Sequence, residues 1–397
     1  MTKLSPSEEQ MWHKPPRQLR TNLTDEQINA KYDNKAERIV TETNREKLQN
    51  FYEALRRPGY MDPRPFYQRR QRWNAERQSK LIESLLINIP IPPLFVYETK
   101  PNVYEVMDGQ QRISAIKAFY SNELALEKLD RWPELNGRTY SKLPERVRAG
   151  IDRRSISWIT VLHESAESDE EALVLKQLVF ERLNTGGVEL SHQEIRNCLF
   201  QGPFNQLLGE LSQNEKYRRA LGLPPFSAQE LKTTPDQLAD SRFYLEMEDI
   251  ELVLRFFALR NVENYQRGMQ GFLDLYMVRA RSFNQVDIEF LRKAFREVID
   301  LADGVYGDKL FIPYVARKSA WGTRHQKAYA DAVLVAVSQV THLGPNLLTR
   351  RADVLDATRA LFEKDSQGVL TGRGNTKKDV QSRIATIRDM LEDVASR

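Results

Sequence analysis

The apolar pattern of the chain changes near residue 166, and this change limits the folds that the chain can adopt. Before that point, the strand-like runs Leu94–Glu98, Val103–Met107 and Ser155–Leu162 lie between helical segments. After it, nearly every apolar run repeats at helical spacing, and the capping-box patterns Ser168–Glu171 and Ser191–Glu194 open two helices. The sequence therefore predicts the α+β class, with a small mixed domain followed by a larger all-helical domain.

Three segments follow from this pattern. Residues 1–42 are polar and contain Pro15–Pro16, which predicts an extended arm with at most a short helix after Thr24. Residues 43–165 form the mixed domain, and residues 166–397 form the helical domain. Three roles stay open for the helical domain: an oligomerisation surface, a DNA-reading surface or a docking platform for a partner protein.

Several classes of protein are excluded by cysteine content and hydropathy. The single cysteine, Cys198, excludes a disulfide framework and a CxxC metal site, and no compact set of metal ligands is visible. The N-terminus lacks the apolar segment of a signal peptide. The longest apolar run, Ala332–Val337, falls far short of the roughly 20 residues that cross a bilayer. We therefore expect a cytoplasmic protein without a membrane partner.

Positive charge is concentrated in one short segment. The chain has 59 basic and 55 acidic residues, a net charge of +4, which is too small to predict a general polyanion binder. Residues 64–80 hold six basic residues against Glu76 alone, so this segment carries +5 and the rest of the chain −1. It also contains Phe66, Tyr67 and Trp73, and arginines beside aromatic rings suit phosphate contact with base stacking. The alternative is a solvated basic loop with Trp73 packed in the core.

The most informative stretch surrounds Asp108 and predicts a strand, a sharp turn and a helix. Asp108 suits the N-cap and Gln111 completes a capping box, while Gly109 lets another group approach the backbone. A helix N-terminus is an anion site. Arg112 can add a bidentate phosphate contact there, and Gln110 and Gln111 can orient a ligand or a water. The alternative is a well-capped helix with exposed glutamines.

A second candidate site is the run Glu181–Gly187, followed by Leu190–Asn197. The first run ends a helix at a Gly-Gly pair and frees a loop near the next helix N-terminus. Thr185, Gly187 and Arg196 are then candidates to close over a ligand held at the first site. The alternative is an ordinary corner between two helices.

Together, these motifs resemble the ParB/sulfiredoxin-like domain at the N-terminus of GmrSD-type restriction endonucleases. The resemblance spans about residues 45–210, and five motifs follow the order of the family. The matching residues are Tyr67–Arg69 with Trp73, Gln78–Leu86, Pro90–Pro92, Asp108–Arg112, and Phe180–Gly187 with Glu194–Asn197.

The resemblance implies a ParB-like fold with a nucleotide pocket around the Asp-Gly-Gln-Gln-Arg motif. It implies catalytic roles for Asp108, which would hold a metal–phosphate group or position a water, and for Gln110, Gln111 and Arg112, which would contact phosphates. The implied ligands are a nucleoside triphosphate and Mg²⁺. The implied nucleotide- or phosphate-binding positions are Tyr67, Gln68, Arg69, Trp73, Gln78, Gly109, Asn184, Thr185, Gly187 and Arg196.

The chain departs from these enzymes in the nuclease half. An HNH module needs a histidine base and nearby metal ligands, and the five histidines form no such pattern, so cutting DNA would need a partner protein. No Walker A motif is present either. The leading hypothesis is a regulatory or sensor component of a prokaryotic anti-phage defence system that binds and hydrolyses a nucleoside triphosphate. The alternative is a non-catalytic DNA-binding module in which Arg69, Arg70 and Arg72 contact DNA beside a partner nuclease or ATPase.

Overall fold

The chain folds into two compact units. In the computed structural model, the described residues are 4–12, 24–33, 41–62, 73–162, 179, 182, 191–200, 202–231, 235–365 and 368–397. The helical unit comprises Met1–Arg17, Ser191–Leu231 and Pro235–Arg397, and the mixed unit comprises Gln18–Leu190 with Lys232–Thr234. The first two helices are α1 (Pro6–Gln10), in the helical unit, and α2 (Asp25–Asp33), in the mixed unit.

The mixed unit contains a five-stranded sheet in the order β1-β5-β3-β4-β2. Strand β3 is antiparallel to β4 and parallel to β5, β1 is antiparallel to β5, and β2 is parallel to β4. The α+β class is therefore confirmed, as are the three predicted strands. The elements are β1 (Thr41–Lys47), α3 (Leu48–Leu55), β2 (Met61–Asp62), α4 (Ala75–Leu86), β3 (Leu94–Lys100), β4 (Val103–Asp108), α5 (Gln110–Tyr120), α6 (Glu145–Asp152) and β5 (Ser155–Val161).

The core of the mixed unit lies between the sheet and the apolar faces of its helices. Phe51 of α3, Ile82 of α4 and Ile116 of α5 are fully buried in one cluster, because apolar residues three and four apart share a helix face. The sequence also predicts Asn74 as the N-cap of α4. This is confirmed, since the Asn74 side chain accepts a hydrogen bond from the Arg77 amide at 3.0 Å.

Two polar residues of α4 fix the loop that precedes α6. The hydroxyl of Ser79, fully buried, accepts a hydrogen bond from the Glu127 amide at 3.0 Å. The buried carboxylate of Glu83 accepts backbone N–H bonds from residues 130, 131 and 132 at 2.7–3.3 Å. Three such donors satisfy a buried carboxylate. Part of the Gln78–Leu86 motif therefore has a structural role.

The helical unit is built around one central helix. Residues 328–337 of α14 are all buried, and α14 contacts α11, α13 and α17. The apolar spacing predicts helices at about 244–260, 286–303, 327–342, 351–363 and 378–395, and these are confirmed. The elements are α7 (His192–Leu199), α8 (Pro203–Leu211), α9 (Glu215–Ala220), α10 (Arg242–Leu245), α11 (Glu248–Leu259), α12 (Gly268–Arg279), α13 (Gln285–Tyr306), β6 (Tyr314–Val315), β7 (Ala320–Trp321), α14 (Lys327–Gln339), α15 (Gly344–Thr349), α16 (Arg351–Lys364) and α17 (Lys377–Ser396).

Three local features differ from the sequence-based predictions. The spacing of apolar residues predicts a helix over Asn44–Leu55, but residues 44–47 extend β1 instead, because they pair with β5 in the register Asn44↔Trp158 to Lys47↔Ser155. The helical unit includes the short antiparallel pair β6–β7. Residues 4–12 pack into the helical unit, with Ser5 and Glu8 fully buried. The capping box of Ser5 and Glu8 was the local sequence signal for this segment.

Within the described part of the chain, no helix is both long and apolar enough to cross a membrane. In the same residues, no three histidine, cysteine or acidic side chains are grouped so that they could hold a metal ion.

Candidate functional site

The turn between β4 and α5 forms the centre of the site. Asp108 is the last residue of β4 and lies opposite Phe95 of β3. Gly109 is the N-cap of α5, with φ 99°, and no side chain caps the helix. The predicted N-cap at Asp108, with a capping box to Gln111, is therefore wrong. The physical reason is that the sharp turn needs a left-handed residue, which glycine supplies at low cost, while the Asp108 carboxylate has another partner.

That partner is Arg112, whose guanidinium ties the turn to the chain before β3. Its Nη2 donates to Oδ2 of Asp108 at 2.5 Å. Its Nη1 donates to the carbonyl oxygens of Pro92 and of Pro93, the latter at 3.3 Å. The Arg112 side chain is 11% exposed, against 45% for Asp108. Arg112 therefore fixes one carboxylate oxygen of Asp108 from inside the fold.

Gly109 allows this close packing. A Cβ atom built at this position would lie 2.3 Å from Cδ2 of Leu94 and 3.2 Å from Nη2 of Arg112. The distance to Leu94 is shorter than an ordinary contact, and the distance to Arg112 is at the lower limit of one. Only glycine therefore combines the required φ with the required space.

Replacing Gly109 by alanine should lower the free energy of unfolding by about 2–4 kcal/mol, because left-handed strain and overpacking add. Thermal and urea unfolding measure this. The matched control is Gly150→Ala in α6, where nothing lies within 4 Å of the added Cβ, so stability should stay equal or rise slightly. Equal stability of the two variants would contradict the packing account of the turn.

Gln110, the first residue of α5, is buried with an unsatisfied amide. Its side chain is 6% exposed, and its Nε2 has no hydrogen-bond partner among the described residues. A buried amide donor left unpaired costs about 1–3 kcal/mol, so it marks a place where a ligand acceptor would be favourable. Gln111 is half-buried beside it.

Gln78 and Trp73 are the other described members of the predicted pocket in the mixed unit. Trp73 is half-buried and packs against the core. Nε2 of the buried Gln78 donates to the backbone carbonyl of Trp73 at 3.1 Å. This bond fixes the entry to α4. The predicted site residues outside the described part of the chain are Tyr67, Gln68, Arg69, Arg70, Arg72, Asn184, Thr185 and Gly187.

Arg196 lies in α7 of the helical unit, where its guanidinium is 1% exposed. It donates to Asp274 at 2.7 Å, to Glu251 at 3.1 Å, and to the carbonyl and side-chain oxygens of Gln270 at 3.1 and 2.5 Å. Burial alone would raise the pKa of Glu251, but Arg196 and then Arg255 reverse this effect and hold the pKa below its usual value. A nucleotide-binding role for Arg196 stays a prediction.

The carbonyl groups that accept hydrogen bonds from Arg112 were not predicted from the sequence. Pro92 and Pro93 supply them, and Leu94 limits the space at the turn. The signal was the Pro-rich run after α4, because prolines lack N–H donors but keep carbonyl acceptors.

Comparison with known proteins found a family model that matches part of the chain. Residues 48–201, which contain Asp108–Arg112 and Arg196, match the family described as GmrSD restriction endonuclease, N-terminal domain. Searches among curated proteins and among solved structures returned no match. The family indicates a component of a restriction-type defence system. Residues 48–201 of this chain are therefore similar to the N-terminal domain of GmrSD restriction endonucleases.

Proposed function

We propose that the protein is a regulatory or sensor component of its defence system that binds and hydrolyses a nucleoside triphosphate at the turn between β4 and α5. The observation that carries this proposal is the buried amide of Gln110 at a helix N-terminus, whose Nε2 has no hydrogen-bond partner in the described part of the chain. The family match supports the restriction-type context. The nucleotide and its hydrolysis are our proposal.

The first turn of α5 suits an anionic ligand. An α-helix leaves its first N–H groups without intrahelical partners, and its dipole places partial positive charge there. Because Gly109 has no side chain to cap them, these donors are available to phosphate oxygens. Nε2 of Gln110 adds a donor from a buried position, and Gln111 adds a further amide. The donor set therefore fits a phosphate group.

Asp108 fits a Mg²⁺ ion that is shared with phosphates. Such sites use one or two carboxylates together with phosphate and water oxygens. Arg112 fixes Oδ2 of Asp108, while no described group donates a hydrogen bond to Oδ1. Asp108 would hold the metal through Oδ1 or orient a water, and Arg112 would position Asp108. When bound, Mg²⁺ would neutralise charge on the phosphates.

The test is Gln110→Met, which keeps the side-chain length and removes the amide. Because a buried unsatisfied donor disappears, the free energy of unfolding should rise by roughly 1–3 kcal/mol without ligand. Binding of ATP, GTP, CTP or UTP with Mg²⁺, measured by calorimetry, should weaken for whichever nucleotide the wild type binds, and phosphate release should fall with it. A rise in the free energy of unfolding together with weaker nucleotide binding would show that the amide faces the ligand. A structural amide would instead lower the free energy of unfolding when it is removed.

The matched control is Ser114→Ala, at an exposed position of the same helix. It should leave both stability and nucleotide binding at the wild-type level. If the wild type bound no nucleotide, or Gln110→Met bound it as tightly as the wild type, the proposed site would be rejected.

A further inference from the structure

A second concentration of positive charge lies in the helical unit, outside the site described above. Residues 309–330 contain no aspartate or glutamate, and their basic residues are Lys309, Arg317, Lys318, Arg324 and Lys327. The structure folds the middle of this stretch into the β6–β7 hairpin. The charge is therefore presented on a two-stranded ribbon rather than on a helix face.

The hairpin is fixed at its base. Tyr314 pairs with Trp321, and their rings meet edge to face with centroids 5.6 Å apart. The Gly322 amide donates to the carbonyl of Pro313 at 2.8 Å. The turn closes through Ser319, which has φ 46° and whose amide donates to the carbonyl of Ala316 at 3.0 Å. The exposed tip, residues 316–319, therefore has a defined position on the unit.

The cations of the hairpin have no acidic partners among the described residues. Arg317, Lys318 and Arg324 are exposed, and none of them forms an ion pair there. Helix α16 packs against the hairpin, but its acids pair with arginines at 350 and 359 at 3.5–3.9 Å. The charges of the hairpin are therefore left for an external partner.

One further titratable group lies beside the hairpin. The ring of His325 packs on Phe243 with centroids 4.4 Å apart. Burial lowers the pKa of His325, against smaller raising effects from a backbone hydrogen bond of Leu221 and from Glu248. Glu248 itself pairs with Lys327 at 2.8 Å. Near neutral pH, the surface charge is therefore set by the arginines and lysines.

A second acid-free stretch covers residues 366–378, and within its described part, residues 368–378, Thr371 contacts the segment that contains the hairpin. Nε2 of Gln326 donates to the carbonyl of Thr371 at 2.5 Å. This stretch adds Arg373 and Lys378, both exposed and, in the described part of the chain, without ion pairs. The acids at its two ends are engaged locally: Asp365 accepts the amides of residues 369 and 370, and Asp379 accepts the amide and hydroxyl of Thr376.

We propose that this surface, made by Arg317, Lys318, Arg324, Arg373 and Lys378, binds the phosphate backbone of duplex DNA. Free arginines and lysines neutralise phosphates and release counterions. B-form DNA has a major groove about 12 Å wide, which admits a two-stranded ribbon, whereas the A-form RNA major groove is deep and narrow. The fixed hairpin therefore favours DNA over duplex RNA. This proposal is independent of the nucleotide site.

The experiment measures binding of the full chain to a short fluorescein-labelled DNA duplex by anisotropy, between about 50 and 200 mM salt. Arg317→Ala with Lys318→Ala should weaken binding by roughly tenfold or more and should reduce the slope of log K against log salt by about 1.8. Ser319→Gly, which keeps the charge and relieves the left-handed residue, should bind as the wild type does.

The matched control is Lys293→Ala with Arg388→Ala, which removes the same charge from helices of the same unit. These cations are already paired with Glu297 at 3.7 Å and Asp389 at 2.6 Å, so the slope should stay at the wild-type value. An unchanged melting temperature of the double variant Arg317→Ala with Lys318→Ala, the tip variant, shows that it is folded.

Three results would overturn the proposal: no DNA binding by the wild type, a wild-type slope in the tip variant, or equal affinity for an RNA duplex. A triple variant, Arg69→Ala, Arg70→Ala and Arg72→Ala, tests the competing basic segment. If this triple variant lost all DNA binding while the tip variant bound as the wild type does, DNA binding would be assigned to residues 64–80 instead. Nucleotide binding by Gln110→Met is measured separately, so the two proposals fail independently.

Discussion

Replacing Arg196 by alanine should lower the free energy of unfolding of the protein by about 3–5 kcal/mol, because a buried ion pair loses one partner. Arg196 is 1% exposed, and its three nitrogens donate to Asp274, Glu251 and Gln270. Without the guanidinium, the buried carboxylate of Glu251 and the partly buried carboxylate of Asp274 would each lose a charged donor. Urea unfolding followed by far-UV circular dichroism measures the loss.

The pH dependence of this loss identifies its electrostatic origin. Arg196 and Arg255 hold the pKa of Glu251 below the model-peptide value despite burial. This contribution to stability is present above the unfolded-state pKa and is lost as the pH falls through the folded-state pKa. The difference between wild type and Arg196→Ala should therefore shrink below about pH 4.5.

Arg388→Ala is the matched control, because the Arg388 side chain is 38% exposed and its ion pair among the described residues is with its exposed neighbour Asp389. An exposed pair of this kind contributes about 0–1 kcal/mol. If both variants lost equally little stability, Arg196 would not be a structural residue, and its predicted role in nucleotide binding would gain support.

Replacing Glu8 by alanine should destabilise the helical unit by a similar amount, about 3–5 kcal/mol. The Glu8 carboxylate is fully buried, lies 3.5 Å from Arg260, and accepts hydrogen bonds from Tyr276 at 2.8 Å and Asn261 at 3.3 Å. Removing it would take an acidic partner from the buried Arg260 guanidinium and an acceptor from Tyr276 and Asn261. Thermal and urea unfolding of the full chain measure the effect.

The adjacent residue supplies the control. Glu9 is exposed in the same short helix, so Glu9→Ala should change stability by less than about 0.5 kcal/mol. Glu8→Gln should fall between the two, since it keeps an acceptor for Tyr276 but removes the charge. Equal stability of Glu8→Ala and Glu9→Ala would show that residues 4–12 do not stabilise the helical unit.

Local sequence pattern predicted the elements around the site but not their contacts. Helix α5 and strand β4 follow from apolar spacing, and the Asn74 cap follows from its position. The N-cap at Asp108 was predicted wrongly because a carboxylate before a helix has two favourable uses. Pairing with Arg112, whose other contacts come from Pro92 and Pro93, is a tertiary effect that spacing does not encode.

One concentration of positive charge is visible in the sequence, and a second becomes visible only in the folded chain. Residues 64–80 stand out because six cations lie close together in sequence. In residues 309–330, the cations are spread out, and the absence of acids is the signal. The hairpin brings Arg317 and Lys318 to one tip, and the bond from Gln326 to Thr371 adds a second stretch. These cations are far apart in the sequence, and folding brings them together.

The position of α1 has a consequence for the order of folding during synthesis. Glu8 leaves the ribosome early, yet its partners Asn261 and Tyr276 follow 253 and 268 residues later. The mixed unit is encoded between them, so it can fold while Glu8 is still hydrated. Closing so long a loop is entropically costly and slow. Docking of the first helix should therefore be a late step, after folding of the mixed unit, that completes the helical unit.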